Sequence, residues 1–272
     1  MFDLNSRTKP VLKWAGGKSG ILTDLLLHFP DRFDRYVEPF LGGGAVFLSL
    51  KVGTKAIISD SNLDLINLYK VIRDKPKGLM TILDSWADLY SEAFYFSLRT
   101  ARPESKVNQA ARLLYLNKTC FNGLYRENSK GEFNVPFGKR VRCPTLYDRE
   151  NLLRASDRLK DAEIMDSDFE AVINRSTTGD LVYCDPPYQP LSTTSSFQGY
   201  TPQGFPLSFQ ERLRDCCVRA ANRGATVIIS SSDSESVKTL FTAHKISEVF
   251  ARRKINSKGD KRGKISELLI RM

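Results

Sequence analysis

Tyr36-Val37-Glu38-Pro39-Phe40-Leu41-Gly42-Gly43-Gly44-Ala45 is the stretch that decides the fold. Tyr36-Val37-Glu38 reads as a short strand. The glycines after it form a loop, and a helix is expected from about Ala45. Lys55 to Asp60 then supplies a second apolar run, and a helix-like segment from Gly20 to Phe29 precedes the whole unit. A strand that passes through glycines into a helix and a further strand is the first unit of a parallel α/β sheet.

The same grammar returns near Asp180. Leu181-Val182-Tyr183-Cys184 is a continuous apolar run of the kind buried on both faces of a parallel sheet. A helix follows, opened by Ser208, whose spacing to Glu211 is that of a capping box ahead of Leu213, Cys216, Cys217 and Ala220. Ala225 to Ser230 is another buried strand. Glu248-Val249-Phe250 and Leu268-Leu269-Ile270 predict a terminal antiparallel pair. Between the halves, periodicity turns helical around an irregular Asn-, Gly- and Phe-rich centre. The expected organisation is therefore a sheet domain from 1–61 and 155–272, with a mainly helical subdomain inserted at 62–154.

A chain of 272 residues is long enough to bury a core without disulfides or metal. Its 41 Lys and Arg against 31 Asp and Glu give a net charge of +10, which favours a polyanionic partner. The 5 cysteines are odd in number and lack C-x-x-C spacing, so neither a disulfide framework nor a zinc site is indicated, and a reducing cytoplasm fits. With only 2 histidines, acid-base work or a metal site built on histidine is disfavoured, and no metal is expected. No signal peptide or membrane span is indicated.

Two segments carry chemistry. In the first, the glycines let backbone approach a ligand, and Asp60 ends the next apolar run, where a carboxylate can accept hydrogen bonds from ribose hydroxyls. A structural turn and a surface aspartate explain the same residues. The spacing is also not G-x-G-x-x-G, which weakens a case for NAD or FAD. In the second, Asp185-Pro186-Pro187-Tyr188 follows directly on a buried strand. Neither proline donates a backbone hydrogen bond, so the segment offers a carboxylate and carbonyls but few donors. Asp185 and the Pro186 carbonyl could grip the two N–H groups of an amine on a base, making its nitrogen nucleophilic, while Tyr188 stacks on the ring. The competing explanation is a rigid turn with Asp185 as a cap and Tyr188 as packing.

Taken together, these motifs resemble the Dam-type DNA adenine-N6 methyltransferases, in both their orphan and their restriction-associated members. The resemblance spans nearly the whole chain: Leu12 to Lys18, Glu38 to Gly44, Asp60, Phe121 to Arg126, Gly131 to Gly138, and Asp185 to Tyr188 occur in that family's order. It implies a Rossmann-like S-adenosylmethionine-dependent methyltransferase sheet and transfer of methyl to the N6 amino group of a flipped-out adenine in duplex DNA. Trp14, Lys18, Asp60 and Asp185 would contact S-adenosylmethionine. Phe40 and Gly42 would line its pocket, and Asp168 and Phe169 would flank its adenine. Without the family, Trp14 reads as core and Lys18 as surface.

The resemblance extends to DNA reading. A base inside a duplex must be extruded before it is modified, and Phe121 and Leu124 are candidate wedges. Arg126 resembles the family arginine that reads guanine, and GATC or a close relative is the expected site. Leu124 and Pro136 would touch thymine methyl groups, Asn122 and Lys13 would add polar contacts, and Lys139 would bind phosphate. The 7 basic residues from Arg252 to Lys264 suggest a loop on the phosphate backbone, and Thr193 to Gln203 a segment that closes over the target strand. The expected state is a monomer, cytoplasmic and associated with the nucleoid through DNA.

Rival functions make different demands. Cytosine-N4 methylation also needs acceptors around an exocyclic amine, although Asp rather than Ser at position 185 tilts toward adenine. A DNA-binding protein that had lost catalysis would not need Asp60, Asp185 and Tyr188 intact. A small-molecule methyltransferase would not need the block from Phe121 to Arg126 or the surplus positive charge.

Overall fold

Successive residues of a strand point to opposite faces, and alternation divides the core of this protein in two. Tyr36, Ile58, Leu181, Tyr183 and Ile228 face one apolar cluster, whereas Val37, Ile57, Val182, Cys184, Val227 and Ile229 face another. The computed structural model describes residues 8–188, 205–252 and 264–272. Strands β1 (Tyr36–Glu38), β2 (Ala56–Ser59), β3 (Ala162–Met165), β4 (Leu181–Cys184), β5 (Thr226–Ser232), β6 (Lys245–Arg252) and β7 (Lys264–Arg271) form a 7-stranded sheet in the order β3-β2-β1-β4-β5-β7-β6. β1 to β5 are parallel, and β7 lies antiparallel between β5 and β6. β1 and β4 are buried at every position, as strands covered on both faces must be.

One face is covered by α1 (Leu22–Leu26), α2 (Leu63–Asp74), α3 (Pro76–Ala87), α4 (Glu92–Thr100), α5 (Lys106–Thr119) and α6 (Arg149–Leu159). The other is covered by α7 (Phe169–Ile173), α8 (Leu207–Asn222) and α9 (Glu235–Leu240). The helices between β2 and β3 share the first cluster with the strands, so this segment is continuous with the sheet's core. α5 lies at its centre, buried at almost every position from Ala110 onward. Even Arg112 is buried there, donating to the Leu98 and Arg99 carbonyls at the end of α4.

Two local expectations are corrected. No α-helix starts at Ala45: the chain turns after Gly44 and forms a 3-10 helix over Phe47–Ser49. Ala45 to Leu50 are all buried, so this segment has no solvent face to pair with a stripe, and it must turn back within a few residues to enter β2. Ser208 does not cap α8 either. The helix starts at Leu207 with Pro206 at the N-cap and no side-chain cap, and the Pro206 carbonyl receives the Phe209 and Gln210 amides. A proline has no amide to satisfy and a φ already suited to helix entry.

After α5 the chain folds back on itself. Phe121 N–H donates to the Pro136 carbonyl, Asn134 N–H to Arg126, and Gly138 N–H to Thr119. Gly138 has no room for a side chain, because a Cβ would lie 2.7 Å from the Thr119 carbonyl oxygen and 2.8 Å from that of Cys120. Both are backbone atoms. Gly138→Ala is expected to destabilise the protein by about 1–3 kcal/mol, read as a lowered chemical-denaturation midpoint. An unchanged midpoint would mean that this fold-back yields freely.

Candidate active site

The strand order reverses between β1 and β4. β2 and β3 extend to one side of β1, β5 extends to the other side of β4, and Tyr36 pairs with Leu181. A crevice opens beyond the carboxyl ends of parallel strands at such a point, because the connections leave in opposite directions. The glycine loop and the Asp185 segment, which the sequence singles out separately, therefore stand side by side. One acid follows each of three neighbouring strands: Glu38 ends β1, Asp60 comes just after β2, and Asp185 just after β4.

Burial pushes the carboxyl groups of all three acids up from their ordinary range, Glu38 the furthest. For Asp60 the amides of Asn62 and Gly42 oppose the shift, and for Asp185 the Lys18 ammonium does. Lys18 is 4 % exposed, and its Nζ lies 2.7 Å from Asp185 Oδ1 and 3.6 Å from Glu267 Oε2, and 2.8 Å from the Gly16 carbonyl. The surface reading of Lys18 is thus overturned: the short 3-10 turn Lys18–Gly20 aims the side chain inward, where two carboxylates offset its lost hydration. The same ammonium sits 4.9 Å from the ring centre of Tyr188, whose hydroxyl donates to Glu267 Oε2 at 3.0 Å.

Asp60 orders the loop. Its Oδ2 accepts the Gly42 amide and its Oδ1 the Asn62 amide, each at 2.9 Å, while the Tyr69 hydroxyl donates to the Gly42 carbonyl. Gly42 and Gly44 have positive φ, of 49° and 66°. Trp14 is partly buried, and its ring lies on the loop so closely that a Cβ on Gly42 would come within 2.9 Å of it. Phe40 stacks on Phe169 at 5.3 Å. Asp168 caps α7 through the Glu170 amide and pairs with Arg212, whose guanidinium lies over Phe169.

The expected DNA-reading residues gather on the fold-back after α5. Phe121 and Leu124 are large apolar side chains left 50 % and 44 % exposed. Asn122 and Lys139 take positive φ. Arg126 is exposed and anchored through Nε to Asn134 Oδ1 at 2.6 Å, and Pro136 is exposed as well. Lys13 is tied to this region by Asn117, which exchanges hydrogen bonds with the Lys13 backbone and also donates to the Gly123 carbonyl. Trp14 and Tyr125, with ring centres 4.9 Å apart, join the glycine loop to the fold-back. Thr193 to Gln203 and the basic run 253–263 lie outside the described residues.

Sequence reasoning missed Glu38 and Glu267 as parts of the site. Glu38 carried a weak signal, an acid closing a buried strand. Glu267 carried none, because only folding brings the end of the chain back to Lys18.

The profile described as D12 class N6 adenine-specific DNA methyltransferase matches residues 14–255, a span that contains the glycine loop, the fold-back and Asp185 to Tyr188. The chain belongs to this D12 class. It is 40% identical over 284 residues to the Type II methyltransferase M.MjaIII of Methanocaldococcus jannaschii, covering 96% of this chain and 98% of that one. It is 38% identical over 270 residues to the Type II methyltransferase M1.LlaDCHI of Lactococcus lactis subsp. cremoris, covering 96% and 94%. The DNA adenine methylase of Escherichia coli (strain K12) is 33% identical over 270 residues, covering 97% and 95%. The D12 protein is an adenine-specific DNA methyltransferase with an α/β sheet, and its class implies S-adenosylmethionine as the methyl donor.

The site fits that donor. A cationic sulfonium with an ammonium group suits a crevice holding several acids around one lysine. Glu38 lies buried with the Tyr36 hydroxyl and the Phe47 amide beside its carboxyl, and its Oε2 has no partner in good hydrogen-bond geometry among the described residues, so a donor from a ligand would relieve it. Among the described residues, no helix is long and apolar enough to cross a membrane.

Proposed function

We propose that the protein methylates the N6 amino group of an adenine swung out of duplex DNA, within GATC, and that it does so as a monomer. The observation that carries this reading is the position of Asp185, Pro186 and Tyr188 beside the glycine loop at the reversal of strand order. Asp185 and the Pro186 carbonyl accept the two N–H groups of the amine and hold its lone pair out of ring conjugation. When bound, S-adenosylmethionine would supply a methyl group from its sulfonium, the neutral thioether leaving as the amine nitrogen takes the methyl and its positive charge, which is lost with a proton. That proton departs along the hydrogen bond already aimed at Asp185. Tyr188 stacks on the purine, on the ring face away from Lys18. Most of the rate gain comes from alignment and from acceptors fixed before the reaction begins.

Asp60, with its carboxylate already beside the Gly42 backbone, holds the donor's ribose. Trp14, Phe40, Gly42, Asp168 and Phe169 form the walls around the donor. Lys18 touches the donor from its seat on Asp185. The segment 62–154 serves as the target-reading subdomain. Exposed Phe121 and Leu124 fill the gap left by the swung-out base, Leu124 and Pro136 meet thymine methyls, and Asn122, Lys13 and Lys139 contact polar edges and phosphate.

Arg126 reads guanine. Its Nε and Nη2 both donate to Asn134, at 2.6 Å to Oδ1 and 3.3 Å to the carbonyl oxygen, which fixes the exposed guanidinium in one orientation on the fold-back. Arg126→Ala is expected to reduce discrimination at one guanine by about 1–3 kcal/mol, measured as relative kcat/KM on duplexes altered at single positions. Equal losses on every duplex would make it a phosphate contact instead. The reading of GATC is tested by exposing plasmid to the protein with S-adenosylmethionine and digesting it with endonucleases that are blocked by, or indifferent to, adenine methylation in GATC. Protection from the first alone is the expected result.

A further inference from the structure

We infer that Glu267 on β7 is a positioning residue for methyl transfer, holding both the stacking ring and the lysine that steadies the acceptor carboxylate. The inference deepens the proposed function and rests on the reading of Asp185 as the amine's acceptor. A single oxygen, Oε2 of Glu267, accepts the Tyr188 hydroxyl at 3.0 Å and lies 3.6 Å from Lys18 Nζ. Glu267 therefore joins the two groups that flank Asp185. It reaches them from the far end of the chain, on the strand paired with β5, where Glu267 stands opposite Ser232.

Its first effect is geometric. A tyrosine ring that must stack on an extruded base gains from having its far end tied down, since freedom left in the ring has to be given up when the base arrives. The hydroxyl bond to Glu267 fixes that end, and the ammonium 4.9 Å from the ring centre occupies one face. The base is thereby directed to the other face.

Its second effect is electrostatic. Lys18 Nζ donates to the Gly16 carbonyl at 2.8 Å and lies 2.7 Å from Asp185 Oδ1, while Glu267 Oε2 stands 3.6 Å away, within ion-pair reach but beyond hydrogen-bond distance. The ammonium sits closest to Asp185 Oδ1, so the target amine is assigned to the remaining carboxylate oxygen, Oδ2. Two carboxylates and one ammonium leave a net negative charge among largely buried side chains. The reaction carries a positive charge toward the amine nitrogen, and a fixed negative charge close by favours the state in which it arrives. Without Glu267 the remaining pair of Lys18 and Asp185 would be neutral.

The test uses the full-length protein and a duplex containing one GATC, with labelled S-adenosylmethionine. Glu267→Gln keeps an acceptor for the Tyr188 hydroxyl and removes the charge; Glu267→Ala removes both. The single-turnover rate is expected to fall about 10-fold in Glu267→Gln and about 100-fold in Glu267→Ala, with the Kd for the duplex within about threefold of the parent. Full activity in a folded Glu267→Gln overturns the inference. So do equal rate losses in both variants that track losses of duplex affinity and Tm, the mark of a merely structural residue. The underlying reading fails separately, if the parent protein itself forms no N6-methyladenine.

Discussion

Replacing Asp185 with alanine is expected to lower the methyl-transfer rate by at least about 10³-fold while leaving affinity for duplex DNA within a few fold. The asymmetry follows from where the residue sits. Asp185 lies in the crevice at the end of β4, paired with Lys18, whereas the exposed Arg126, Lys139 and apolar side chains that would meet DNA are carried on the fold-back after α5, with Lys13 tied to it through Asn117. Asp185→Asn should be nearly as impaired, because its amide would turn donors toward an amine that needs acceptors. Single-turnover rates and binding isotherms separate the two effects. Loss of DNA binding and of folding in step with activity would make Asp185 a structural residue.

Lys18→Met is expected to reduce stability by about 3 kcal/mol near neutral pH, because it strands Asp185 and Glu267 without a counter-charge. Their exposures of 18 % and 15 % keep the cost at the low end for buried pairs. The pH dependence has a definite sign. Burial already raises the Asp185 carboxyl above its ordinary value, and Lys18 opposes that shift, so removing the lysine raises it further. A carboxyl raised in the folded state favours folding when protonated, and that contribution is lost as pH rises through the folded value. The deficit of Lys18→Met should therefore be greatest near neutrality and shrink on acidification through the carboxylate range, as read from urea unfolding at a series of pH values. A deficit that does not change with pH would point to lost packing. Methyl transfer should fall by about 100-fold at neutral pH, since the acceptor carboxylate is no longer held.

The parts of this molecule legible in its sequence are those governed by short-range pattern. Leu181 to Cys184 reads as a strand buried on both faces because all four side chains are apolar, and it is one. The position of Asp185 at its carboxyl end follows at once. The terminal antiparallel pair was legible through its alternation. Ala45 misled, because a helix-like run after glycines looks the same whether the chain has room for a helix or must turn under the sheet at once. Ser208 misled because a capping box competes with a proline two residues earlier, and backbone geometry at Pro206 decided the helix start. Lys18 and Glu267 were opaque for another reason. A charged residue in a polar stretch is ordinarily hydrated, and only the return of β7 beside β5 supplies the partners that make burial tolerable.

The most direct measurement is nucleoside analysis of duplex DNA after incubation with the protein and S-adenosylmethionine carrying a labelled methyl group. The acceptor pocket at Asp185 predicts label in N6-methyladenine, confined to one short recognition sequence and absent with Asp185→Ala. Label in N4-methylcytosine, or no labelled nucleoside from a folded protein that binds the donor, would contradict it.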